Sequence, residues 1–386
     1  MWRLLEVLVV LLVMAVPAVA AQDVYEPCPH RPDSAAVTPA AVMADGRWKA
    51  ALLEVDALLQ NATERGETLS GNFSGLPGLV VTVTLGQKQA WVSSYGLRDA
   101  GDKTSGKPTP NDLVWIASIT KTFTSTLLHI LRDEGVVALE DPVSKYFPDF
   151  RYKSPWPSAK PMTLGQLASH TSGLPRETPF YVCDREPACK TNSTERERRI
   201  LAAIADQWLV VKPGTRFHYS NIGFALLGRA LGHAASASYE SLVAQKILKP
   251  LGMDSATFES PASLAGVAIG FRPTGAVGIQ SHSDAWGAPA GDLLVSTNDM
   301  AKWMALWARR DQPRFATNAS AAQILDGATL DEMLQPVVEM RDGRAAIGKP
   351  PSASRGSFST RTGCGSSPRG GPCSKGETLA IAHRSR

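Results

Sequence analysis

Trp115-Ile116-Ala117-Ser118-Ile119-Thr120-Lys121-Thr122-Phe123-Thr124 is the stretch on which the reading of this chain turns. From Ser118 the pattern is helical: Ile119, Phe123, Leu127, Ile130 and Leu131 fall on one face, and Gly135 stands where such a helix would stop. The spacing places Ser118 at the opening of the helix, with Lys121 one turn on and on the same side. A serine hydroxyl is a weak nucleophile until a neighbouring base takes its proton. A lysine desolvated by burial and surrounded by cations can be that base. The helix N-terminus adds backbone N–H groups and the positive end of the dipole, and the Ser118 N–H is placed to form one arm of an oxyanion hole. Taken alone, S-x-x-K arises by chance about once in a chain this long. Ser118 is then a helix cap and Lys121 a solvated side chain.

A second group lies a hundred residues on. Tyr219-Ser220-Asn221 follows the turn signal Pro213-Gly214 and precedes the apolar run Ile222-Gly223-Phe224-Ala225-Leu226-Leu227, which reads as a buried helix over 222–235. In an extended segment residues two apart point the same way, so Tyr219 and Asn221 can both face one cleft. A tyrosine can shuttle a proton, and an asparagine amide can hold a substrate carbonyl and the lysine. The bland alternative is a tyrosine packed at a loop and an asparagine cap. Leu167 to Pro175 reads as a turn-rich loop, and His170 within it as a satisfied loop histidine.

Further out, Leu79 to Leu85 and Lys88 to Tyr95 read as a hairpin turned at Gly86-Gln87. Trp48, Leu52, Val55 and Leu59 recur at helical spacing before it. Residues 113–260 read as mostly helical, and 291–308 as a further helix with Ser296 or Thr297 as its cap. The five cysteines make no metal-ligand spacing, and Cys183 and Cys189 are placed to close a short disulfide loop in an oxidising compartment. No metal site is legible and no cofactor is expected: no H-E-x-x-H, Walker string or Rossmann fingerprint occurs, nor a G-x-S-x-G elbow.

The ends differ from the middle. Arg3 followed by the apolar, uncharged run Val7 to Ala21 reads as a secretory signal over 1–21, with an uncleaved membrane anchor as the rival. Four sequons, at Asn61, Asn72, Asn192 and Asn318, fit glycosylation on a lumenal route. The expectation is a secreted or ER-lumenal protein, or a single-pass anchored one with a lumenal domain. Net charge is +4 over 386 residues, too small to argue for nucleic acid. Residues 349–386 carry seven Lys/Arg against one acid, are rich in Gly, Pro and Ser, and hold none of the nine tryptophans. Such a tail cannot bury enough apolar surface to offset its ordering entropy, and it reads as disordered.

Taken in order, these segments resemble the serine β-lactamase and penicillin-binding-protein superfamily, in its class C and esterase-like branch and among the animal β-lactamase-like proteins. The resemblance runs from Gly78 to Gly348. It rests on the hairpin, on the stretch around Ser118, and on Leu139-Glu140-Asp141-Pro142-Val143. It continues through Leu167 to Pro175, Tyr219-Ser220-Asn221, Pro250-Leu251-Gly252-Met253 and Pro289-Ala290-Gly291 before Leu294-Val295-Ser296-Thr297. It implies an α/β domain, a sheet flanked by helices, with an inserted helical domain and the site between them. It also implies that Ser118 forms an acyl-enzyme, that Lys121 and Tyr219 move its proton, and that Asn221 orients a β-lactam, peptide or ester substrate without a metal or organic cofactor. The domain plan is then a signal over 1–21, an N-terminal extension and helix over 22–77, a β-lactamase-related domain over 78–348 and an atypical tail.

The chain departs from that pattern in one place. The family carries a Lys or His, a small residue and Gly on a strand lining the cleft, and further core strands after it. The nearest string, Arg361-Thr362-Gly363, sits among Ser, Gly and Cys without apolar alternation. Two expectations follow. One is a secreted serine hydrolase of impaired activity, with the hairpin left with an open edge and an apolar face. The other is a catalytically inactive relative whose C-terminal third has been replaced. A small-molecule or peptide substrate is the expected partner, and a membrane only if residues 1–21 stay as an anchor.

Overall fold

Apolar residues at helical spacing organise the middle of the chain. In a computed structural model, described over residues 40, 44–64, 76–99, 101–177, 192–259, 266–272, 275–276, 285–308, 323–339 and 345–347, they form the central core. The candidate signal, Asn72, Cys183, Cys189, Asn318 and the tail after 347 lie outside the described residues.

Helix α1 spans Gly46–Glu64, ahead of the hairpin β1 (Gly78–Leu85) and β2 (Lys88–Gly96). The pairing runs antiparallel from Gly78 opposite Gly96 to Leu85 opposite Lys88, with an irregularity at Val83/Thr84. Gly86 makes the turn at φ 56, a conformation open to glycine at no steric cost. Helix α1 is tied to β2 by the Tyr95 hydroxyl, which donates to Asp56 at 2.5 Å. Burial and the Asp56 carboxylate push the Tyr95 phenol up to about 12.

Strand β3 (Leu113–Trp115) leads into helix α2 (Thr120–Asp133). In α2, Phe123, Leu127, Leu128, Ile130 and Leu131 are each 1% exposed or less. Each such side chain contributes about 1.5–3 kcal/mol by leaving water. The helix stops before Gly135, which takes φ 75. Three helices follow: α3 (Leu164–Ala168), α4 (Ser193–Ala205) and α5 (Asn221–Ala235). Helix α5 is apolar nearly all round and is buried accordingly. Its cap is Ser220, whose hydroxyl accepts the Gly223 N–H at 3.0 Å. The short helix α6 (Tyr239–Val243) comes next.

The return to the sheet comes after two short strands, β4 (Phe271–Arg272) and β5 (Gly275–Ala276). Helix α7 (Ala288–Gly291) precedes strand β6 (Leu294–Ser296), which pairs antiparallel with β3, Trp115 opposite Leu294 and Leu113 opposite Ser296. This brings residues 288–294 beside Ser118. Helix α8 (Thr297–Trp307) starts at a Ser296 cap. The single helix expected over 291–308 is therefore a strand and a helix. Leu294-Val295-Ser296 extends because β3 offers it a ladder, a partner invisible to local periodicity. Phe123 stacks on Trp303 at 3.8 Å and so fixes α8 against α2. Helix α9 (Gly327–Met333) and the pair β7 (Pro336–Glu339) and β8 (Ala345–Ile347) complete the described chain.

Among the described residues every ladder is two-stranded. The hairpin pairs there with no third strand, and the apolar face expected to be exposed is covered: α1 packs on β2 and α8 on β1, and every residue of β1 is half-buried.

Candidate active site

Ser118 sits on a one-turn 3-10 segment, Ala117–Ile119, that runs without a break into α2 and so opens that helix, as its spacing predicts. The residue before it, Ala117, adopts φ 45, a left-handed conformation costing an alanine about 1–2 kcal/mol. Its neighbours hold it there: the Ile116 N–H donates to the Leu293 carbonyl at 3.1 Å, and the Ile119 N–H to the Ile116 carbonyl at 3.0 Å. Strain of this kind persists only where the surroundings over-determine it, and such places are often functional.

Lys121, in the first turn of α2, is 5% exposed. Its Nζ lies 3.1 Å from Ser118 Oγ and 2.5 Å from the Ala290 carbonyl. The rings of Tyr219 and Phe224 also face the amine, at 5.0 and 5.7 Å from their centroids. The Ala290 carbonyl is held by the polar stripe of α2. Thr124 Oγ1 donates to the Pro289 carbonyl at 2.7 Å and pairs with the Tyr239 hydroxyl at 2.7 Å. Thr120 Oγ1 accepts the Leu293 N–H at 3.3 Å. Helix α5 lets α7 close on this group because residue 228 is glycine: a Cβ there would stand 2.2 Å from Pro289 Cγ.

Tyr219 reaches the same atom from the other side, its hydroxyl donating to Ser118 Oγ at 2.6 Å. The loop that carries it is laced to residues 170–176. The Val210 N–H donates to the Gly173 carbonyl at 2.9 Å, the Gly214 N–H to Thr171 at 2.8 Å and the Asn221 N–H to Arg176 at 2.8 Å. Gly173 (φ 80) is required there, since a Cβ would meet the Val211 carbonyl at 2.1 Å. A lysine amine and a tyrosine hydroxyl thus converge on one hydroxyl oxygen.

Asn221 departs from expectation. It begins helix α5, where the alternation of an extended segment ends, and its amide donates to Glu177 Oε1 at 2.6 Å and not to the lysine or an open cleft. His170 was expected to be a plain loop histidine. It takes φ 56 and stacks on Tyr219 with centroids 4.4 Å apart. Burial, together with Lys121, His218 and Arg176, holds its pKa down at about 3. It is therefore neutral at any physiological pH.

Of the glycosylation candidates, Asn61 is exposed on α1, and Asn192 caps α4 by accepting the Glu195 N–H at 3.1 Å. No group of three or more His, Cys, Asp or Glu is placed to hold a metal ion among the described residues. Sequence reading missed the Ala290 carbonyl, which has no side-chain signal, and Glu177. It also missed the Thr120/Thr124 stripe, whose polar residues on the buried side of a helix were a readable sign.

The sequence model of the Beta-lactamase family matches residues 58–349. Beta-lactamase-like protein 2 of Dictyostelium discoideum is 31% identical over 327 residues, 84% of this chain and 55% of that protein. The D-alanyl-D-alanine-carboxypeptidase/endopeptidase AmpH of Escherichia coli is 33% identical over 253 residues, 65% of this chain and 63% of its own length. Putative beta-lactamase-like 1 of Homo sapiens is 30% identical, over 71% of this chain and 52% of itself. The chain therefore spans about half to two thirds of these relatives. Among solved structures, a Beta-lactamase/D-alanine Carboxypeptidase from Yersinia pestis superposes with a TM-score of 0.52 at 29% identity, over 66% of this chain and 69% of that one. The octameric penicillin-binding protein homologue from Pyrococcus abyssi gives 0.57 at 24% identity, over 77% and 64%, a likeness of fold. A family match that covers most of the chain, joined to a serine, a lysine and a tyrosine converging on one oxygen, places this chain in the beta-lactamase family.

Proposed function

We propose that the chain is a serine hydrolase that cleaves amide or ester bonds of small or peptide substrates through an acyl-enzyme on Ser118. The observation that carries this reading is the convergence of Lys121 Nζ, at 3.1 Å, and the Tyr219 hydroxyl, at 2.6 Å, on Ser118 Oγ. Ser118 Oγ attacks the carbonyl carbon while its proton passes to the Lys121–Tyr219 pair. The Ser118 N–H stabilises the oxyanion that forms. The intermediate then collapses: the leaving amine or alcohol takes the proton back, and the acyl group stays on Ser118. Water, deprotonated by the same pair, releases the acid.

Among the described residues no Lys- or His-small-Gly string lies beside Ser118, and where a second oxyanion donor is lacking the barrier rises by about 2.7–4 kcal/mol. A second reading, a relative that binds without turning over, draws on the Glu177 carboxylate that occupies the Asn221 amide. On the strength of residues 1–21 and the sequons, the reading also puts the chain on the secretory route. A shift in mass on digestion with a glycosidase tests that part.

The test of the activity is labelling of the full chain with a fluorophosphonate and with a penicillin-type probe. Labelling that vanishes in Ser118→Ala supports the hydrolase. A folded wild-type chain that takes neither probe supports the second reading.

A further inference from the structure

We propose that His170 is the positioning residue for Tyr219, gripping the backbone on both sides of that tyrosine and carrying its ring. The inference rests on the reaction proposed above and adds to it a residue that acts through Tyr219 and makes no hydrogen bond to Ser118.

Three contacts make the grip. The His170 carbonyl accepts the His218 N–H at 2.7 Å, one residue before Tyr219. The His170 Nδ1 accepts the Ser220 N–H at 3.0 Å, one residue after it. Between these two anchors the imidazole lies against the Tyr219 ring, 4.4 Å between centroids and 30° between planes. Phe217 and Phe224 pack on the imidazole at 5.4 and 4.8 Å, which fixes its plane. A phenol whose backbone is pinned at both flanks and whose ring is stacked has little freedom left, so its hydroxyl stays on Ser118 Oγ.

The backbone of His170 is itself a sign of purpose. At φ 56 it occupies the left-handed region, uncommon for residues other than glycine, though His, like Asn and Asp, enters it more readily than most. Glycine would relieve that cost but would supply neither the ring nor the Nδ1 acceptor. The acceptor must also stay unprotonated, because an imidazolium has two donors and no acceptor. Burial, with smaller contributions from neighbouring Lys121, His218 and Arg176, sees to that. A general base would need the opposite, a proton affinity near the working pH.

Two variants separate the contacts. His170→Phe keeps a ring and removes the acceptor; His170→Asn keeps an acceptor, tolerates the backbone and removes the ring. Each is measured in the full chain, alone and combined with Tyr219→Phe, for its rate of fluorophosphonate acylation. Misplacing a reacting group by about 1 Å can cost on the order of 100-fold, so a loss of about 10- to 100-fold is expected for His170→Phe and a smaller one for His170→Asn. In the Tyr219→Phe background both losses should nearly vanish. A loss of the same size with and without the Tyr219 hydroxyl, or no loss at all, overturns the proposal. A second readout does not need activity: the 13Cζ resonance of Tyr219, assigned by its absence in Tyr219→Phe. It should move in His170→Asn, and a resonance that stays in place overturns the proposal. If it moves while no variant, nor wild type, is acylated, the positioning stands and the proposed reaction falls.

Discussion

Helix α2 and the hairpin β1–β2 are held to different depths. Ten of the fourteen residues of α2 are buried, Lys121 among them, whereas all eight residues of β1 are only half-buried. Among the described residues the groups that reach Ser118 Oγ, Lys121 and Tyr219, come from the helical body and a loop it anchors, and not from the hairpin. The geometry around Ser118 and the stability of the hairpin are therefore separable: the helical body can hold Ser118, Lys121 and Tyr219 together while the hairpin relies on α1 and α8 for cover.

The largest expected effect lies at the site. Lys121→Met keeps the length of the stem and removes the amine. The acylation rate should fall about 10²- to 10⁴-fold, as for loss of a positioned acid–base group, with the thermal midpoint little changed. A full rate would break the contrast at its functional end.

The next effect is on stability. Leu127→Ala in α2 should cost about 2–5 kcal/mol in a denaturant titration, and Val81→Ala in β1 clearly less. Equal costs would mean that hairpin and helical body share one core. Gly228→Ala tests the link between packing and chemistry. The added methyl meets Pro289 and should cost about 1–3 kcal/mol, moving the Ala290 carbonyl away from Lys121. Acylation should slow as well; stability lost at an unchanged rate would show that the carbonyl contact is dispensable.

A further effect is in pH. His170 has its pKa held at about 3 in the folded chain against the ordinary 6.5. Between those values the unfolded chain binds the extra proton, so folding stability falls as the pH drops through the window and is fully present above it. His170→Asn should flatten that part of the stability curve. An unchanged slope would place the acid sensitivity elsewhere.

Much of this was legible beforehand, for physical reasons. The hairpin's first strand is an apolar, β-branched run, α2 and α5 carry their apolar residues at helical spacing, and Gly86 and Gly135 stand where the backbone needs a positive φ. The Ser118–Lys121 pairing holds because residues three apart lie on one side, about one turn apart, in both the 3-10 segment and the α-helix. What was not legible depends on distant partners. Strand β6 exists through β3, nearly two hundred residues away in sequence. The Ala290 carbonyl belongs to the backbone. The preference of Asn221 for Glu177 is set by how two loops meet.

The most direct test of the central claim is mass spectrometry of the full folded chain after exposure to a penicillin-type probe, with the adduct located by peptide mapping. The account predicts one added acyl group, on the hydroxyl of Ser118, accumulating faster than it is released. A folded chain that gains no mass, or an adduct on any residue other than Ser118, would contradict it.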